Sequence, residues 1–159
     1  MLRPDVRVES LAEVTPYLLR ALSVRDVLLD LDDTLVASDG DDVVAEAPRL
    51  VARLRESGMG VAILSNGTPE RVARVSELLG VPALSLAGKP FSWAFRRALA
   101  LLPGARPPST AMVGDQLFTD VLGAKLAGMV TVLVKPLSEG KLPHTRLARR
   151  LERMILEER

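Results

Sequence analysis

The run Val27-Leu28-Leu29-Asp30-Leu31-Asp32-Asp33-Thr34-Leu35 restricts the fold of this chain more than any other segment. Its apolar part is too short for a helix and reads as a buried strand. It ends in acidic residues, with Asp30 and Asp32 separated by one position. Along a strand, residues two apart project to the same side, so these carboxylates are expected to stand together. Held that close they repel each other unless something cationic lies between them. Such a site asks for a divalent metal, a phosphate-bearing substrate held by that metal, or both.

The rest of the chain repeats the pattern of apolar run followed by amphipathic helix. Further strands are expected over 61–64, 81–86, 110–113 and 130–134, and helices over 48–56, 69–79, 91–102 and 117–127. Gly58, Gly80 and Gly128 sit where three of those helices should end. Ser10-Leu11-Ala12-Glu13 reads as a capping box opening a helix to about Leu22, with Pro16 shortening or bending its first turns. A basic helix from about Thr145 closes the chain. No repeat, low-complexity tract or long linker divides it, so all 159 residues are expected to form one domain. Alternating helices and continuously apolar strands imply an α/β fold, a parallel sheet with helices on both faces.

Composition narrows the function. A net charge of +1 makes no case for broad nucleic-acid binding. Without cysteine there is no disulfide, no thiolate metal site and no cysteine nucleophile, which suits a cytoplasmic location. No apolar run approaches the length of a membrane span, and Met1-Leu2-Arg3-Pro4-Asp5 lacks a signal-peptide core.

In parallel sheets ligands bind beyond the carboxyl ends of the strands. Asp30 and Asp32 follow the first core strand, Ser65 and Asn66 the second, Lys89 the third, and Gly114-Asp115, with Asp120 further on, the fourth. A phosphate monoester dianion resists an anionic nucleophile, because each unit-charge pair at 4 Å costs about 4 kcal/mol near a protein surface. A carboxylate can attack it only if cations such as magnesium and Lys89 offset the repulsion.

DLDDTL, LSN, the lysine of GKP, and GDQLFTD resemble, in order, the four motifs of the haloacid dehalogenase (HAD) superfamily. The resemblance implies a three-layer Rossmann-like fold and a magnesium-dependent phosphatase. It makes Asp30 the nucleophile and Asp32 the general acid and base, with the Asp32 backbone carbonyl on the metal. Asp115 becomes a metal-binding carboxylate, and Asp120 orients the metal's waters or Lys89. Ser65, Asn66 and Lys89 would hold the phosphoryl group, and Thr34 would support the loop or serve as a turn residue.

Taken one at a time, several of these residues have plainer readings. Asp33 suits a turn, Ser65 could cap the next helix, a lone lysine before proline is usually solvated, and Asp120 suits a helix first turn. His144 reads as a surface residue, and Trp93 as core more readily than as substrate-facing. Arg146, Arg149, Arg150 and Arg153 form a basic amphipathic run, usually a solvated helix face and less often a contact with anionic membrane.

The segments 36–60 and 66–88 leave no room for a cap domain. Among capless members the chain is similar to the YqeG-like group, related to phosphatidylglycerophosphate phosphatases, through Leu2-Arg3-Pro4-Asp5, GKPF, GDQLFTD and TRLARRLE. It departs from that group at Asp33, where asparagine is usual, and at Gly123-Ala124-Lys125, which replaces Gly-Asn-Arg. An open site suits a lipid headgroup, with peripheral contact at the inner membrane surface, or a soluble sugar phosphate or nucleotide in an oligomer whose neighbours close it. A receiver domain is disfavoured because no lone aspartate ends the 61–64 strand. A silent interaction module has no physical reason to hold repelling carboxylates together.

Overall fold

The continuously apolar runs become the strands of one sheet. The computed structural model describes residues 2–37, 39–138, 150, 153 and 154. Its strands are β1 (Val6–Val8), β2 (Asp26–Leu29), β3 (Gly60–Leu64), β4 (Ala83–Leu84), β5 (Thr110–Gly114) and β6 (Val130–Val134). They lie in the order β1-β6-β5-β2-β3-β4, and every pairing is parallel. The helices are α1 (Pro16–Ala21), α2 (Glu46–Glu56), α3 (Pro69–Leu79), α4 (Ser92–Leu99) and α5 (Leu122–Leu126).

Strand alternation divides the core in two. Val27 and Leu29 of β2 pack with Leu50 and Leu54 of α2 and Val72 and Val75 of α3. Leu28 faces the other way, toward Phe95 and Ala98 of α4 and Ala124 of α5. The result is the expected three-layer α/β architecture, with β2 buried on both faces.

The structure differs from the sequence reading in several places. Strand β1 was not foreseen, since Val6-Arg7-Val8 is too short to show a period. It is held at the sheet edge by pairing with β6, and next to it Asp5 accepts a hydrogen bond from Thr131 N at 2.8 Å. The single helix expected over 10–22 is broken. Ser10 makes no side-chain cap, a 3₁₀ turn spans Leu11–Glu13, and α1 starts afresh at Pro16 with Thr15 Oγ1 accepting from Leu18 N at 3.1 Å. Proline is suited to a first helical position, so Pro16 begins a helix instead of bending one. The strand expected over 81–86 contracts to two residues, and α4 stops at Leu99.

Among the described residues nothing folds over the carboxyl rim of the sheet. Among its described residues, the segment between β2 and α2 carries only the isolated bridges Asp32–Val36 and Val36–Val43. No helix of the described residues is long and apolar enough to cross a membrane. The terminal basic helix and His144 lie outside the described residues, apart from Arg150, Arg153 and Met154, which are helical and exposed.

Candidate active site

The chain packs α2 and α3 on one face of the sheet and α4 and α5 on the other. The crevice of such a sheet opens where the winding reverses, here at the carboxyl ends of β2 and β5. Asp30, Ser65, Lys89, Asp115 and Asp120 all come to this rim, and all are buried. Burial of so many polar groups is tolerable only with partners.

Lys89 supplies the main one. Its Nζ donates to Asp30 Oδ1 at 2.6 Å and to Asp120 Oδ1 at 2.7 Å. Burial alone would lower the lysine's pKa, but the charges of Asp120 and Asp30 outweigh it and raise the pKa above the ordinary lysine value. Burial likewise raises the pKa of Asp120; Asp30 adds to the shift, and Lys89 opposes it without cancelling it. Asp30, Asp115 and Asp120 each offer an oxygen, all within 4.8 Å of one another. Three buried carboxylates, with no nitrogen or sulfur donor among them, fit a hard divalent cation. Thr34 Oγ1 donates to Asp115 Oδ1 at 3.2 Å, fixing that carboxylate from the β2 side.

Asp120 reaches the cluster because the helix expected over 117–127 begins with a π-helical turn, Leu117–Val121, before α5. Gln116 N donates to Asp120 Oδ2 at 3.1 Å across that turn. The close approach requires Gly114, since a Cβ there would run into the Asp120 carboxyl group. Gly114→Ala is therefore expected to cost about 1–3 kcal/mol of stability through overpacking. Urea denaturation would measure this, and an unchanged midpoint would show that Asp120 can move aside.

The lysine loop is latched from the β3 side. Asn66 Oδ1 accepts from Gly88 N at 3.0 Å and Lys89 N at 2.9 Å, and Asn66 Nδ2 donates to Lys89 O at 3.1 Å. Ser65 Oγ accepts from Gly67 N at 2.9 Å. Gly88 has φ +91°, and the Trp93 ring lies where its Cβ would be. Phe95 is core, but Phe91 and Trp93 turn outward, against the core reading of Trp93, and stack in parallel, with Arg97 over the Trp93 ring. Leu86 is also exposed.

Asp32 lies beyond the strand itself, within reach of the Asp30 charge. β2 ends at Leu29, so the chain has already turned, and the two carboxylates take different cations: Asp30 is held by Lys89 and Asp32 by Arg71. Asp32 is not one of the three clustered carboxylates. Burial, with Asp30 and Asp33, raises its pKa although Arg71 pulls the other way. Arg71 was missed from the sequence. A cation in the first turn of a helix opposes the dipole, and that was the available signal. Asp33 sits in the left-handed region at φ 58°, a conformation aspartate and asparagine tolerate, and Ser138 Oγ donates to its Oδ1.

The sequence model of the haloacid dehalogenase-like hydrolases matches residues 6–128. The chain is 36% identical over 153 residues to the "Probable phosphatase YqeG" of Bacillus subtilis (strain 168), covering 96% of this chain and 88% of that one. It is 36% identical over 98 residues to a phosphoserine phosphatase of Thermus thermophilus, covering 56% of this chain and 39% of that one. The solved structure of a HAD phosphatase from Thermococcus onnurineus superposes with a TM-score of 0.56 at 18% identity, over 76% of this chain and 90% of that one.

Proposed function

This chain belongs to the haloacid dehalogenase-like hydrolase family and is a phosphatase of it, and we propose that it hydrolyses phosphate monoesters through a phosphorylated Asp30 with magnesium as the metal. The observation that carries the reading is the buried Lys89 ammonium between Asp30 and Asp120, with an Asp115 oxygen within 4.8 Å of both carboxylates. An Asp30 oxygen attacks phosphorus, and the bond to the ester oxygen breaks. That oxygen leaves with a proton from Asp32. Water then attacks the phosphorus of the acyl phosphate and gives a proton to Asp32, releasing inorganic phosphate and restoring Asp30. Lys89, Ser65 Oγ and the backbone N–H of Asn66 hold the phosphoryl oxygens. Asp30, Asp115 and the Asp32 carbonyl would hold the metal, which when bound offsets phosphoryl charge, and Asp120 keeps Lys89 in place.

The substrate we favour is an anionic lipid phosphate of the phosphatidylglycerophosphate kind, met in peripheral contact with a membrane at the cytoplasmic face. The resemblance to the YqeG-like group supports it. So do the exposed Leu86, Phe91 and Trp93 on and beside the lysine loop, because an apolar rim flanked by arginine suits a bilayer interface.

Phosphate release from this lipid in mixed micelles should exceed release from phosphoserine, sugar phosphates and nucleotides, and a chelator should abolish all of it until magnesium is restored. Turnover of soluble esters alone would remove the lipid and keep the phosphatase. Trp93 is the sole tryptophan, so its emission should shift to the blue on anionic vesicles if the rim docks there.

A further inference from the structure

We propose that Arg71 is a positioning residue, aiming the Asp32 carboxyl group at the ester oxygen that leaves; this rests on the reading of Asp32 as general acid. Asp32 stands on a turn beyond the end of β2 with its side chain 42% exposed. A side chain placed there would ordinarily sample several rotamers. Among the described residues its carboxylate has one hydrogen-bonding partner, Arg71, whose Nε and Nη2 both lie 3.0 Å from Asp32 Oδ1.

Arg71 is itself held from the other side. Its Nη1 donates to Asp41 Oδ1 at 3.0 Å, and Nη2 donates to the carbonyls of Gly40 at 3.2 Å and Ala37 at 3.5 Å. A planar guanidinium fixed on several edges imposes a direction on the carboxylate it meets, which a lysine ammonium cannot do. With Oδ1 tied to Arg71, Oδ2 is turned toward the Ser65–Gly67 turn, 3.5 Å from where a Cβ on Gly67 would stand. That turn is where the phosphoryl group is read to sit, so Oδ2 is the oxygen offered to the leaving group. An exposed ion pair of ordinary kind would contribute little. Here the same arginine joins the acid, the loop around Asp41 and the first turn of α3.

Leaving-group dependence separates aiming an acid from merely stapling a loop. An alkyl phosphate such as glycerol phosphate needs its departing oxygen protonated, whereas p-nitrophenolate departs without help. The measurement is kcat/KM, which reports phosphoryl transfer to Asp30, for both esters with wild type, Arg71→Ala, Arg71→Lys and Asp32→Asn. Arg71→Ala should lower the alkyl value about 100-fold and leave the p-nitrophenyl value within about threefold. Arg71→Lys should recover part of the alkyl loss, and if the alanine variant does not fold, the lysine variant carries the test by the same selectivity. Equal losses on both esters, or none on either, would overturn the inference. Should Asp32→Asn be selective while the Arg71 variants are not, only the positioning falls. Should Asp32→Asn itself depress both esters equally, the general-acid reading falls and takes the inference with it.

Discussion

Asp30→Asn is expected to reduce turnover of every phosphate monoester by at least about 10⁴-fold, while the variant stays folded and, in chelator, becomes about 1 kcal/mol more stable than the native protein. The amide oxygen can still accept from Lys89 Nζ, which lies 2.6 Å from Asp30 Oδ1, and the Lys89–Asp120 pair is untouched. What disappears is one of three buried carboxyl groups set against one lysine. Charges arranged for chemistry rather than for stability leave this kind of residual repulsion. Magnesium should reverse the ranking, because a ligand at 100 times its Kd adds about 2.7 kcal/mol to the protein that binds it. Urea titrations with and without magnesium, beside phosphate release, make the measurement. Residual turnover near the native rate would remove Asp30 as nucleophile. A variant less stable than wild type in chelator would show that the cluster is not repulsive.

The fold was legible where burial is two-sided. β2, β3, β5 and β6 are continuous apolar runs bounded by turn residues, and the chemically loaded residues follow four of the strand ends because parallel sheets put ligands there. What escaped depends on contacts distant in sequence or on backbone detail. β1 exists only through its pairing with β6. The π-helical turn follows from Asp120 accepting Gln116 N over the bare backbone of Gly114, and helical periodicity carries no sign of it. Arg71 meets Asp32 across 39 positions, a contact that needed the packing of α3 beside the first rim turn. The run ending in Asp30 and Asp32 foretold neighbouring carboxylates, and the Asp30 charge does bear on Asp32, but it gave no sign that Arg71 would hold Asp32 while Lys89 holds Asp30.

Lys89→Met should be the most destabilising of these changes, costing about 3–5 kcal/mol and lowering kcat/KM about 10³-fold. Methionine nearly fills the space but leaves Asp30 and Asp120 buried without their shared cation. The loss should depend on pH in a defined sense. In the native protein Lys89 has a raised pKa, so its contribution is complete below the ordinary lysine value near pH 10.4 and constant between pH 5 and 8. Asp120 behaves oppositely. Burial and Asp30 raise its pKa, and Lys89 holds the rise in check, so removing Lys89 raises it further. A carboxyl group with a raised folded-state pKa penalises folding as pH climbs above the unfolded carboxyl range near pH 4, and it costs nothing when protonated in both states. The stability gap between wild type and variant should therefore widen from pH 5 to pH 8 in chelator. A gap that stayed constant or narrowed would mean that the two acids find relief other than protonation once the ammonium is gone.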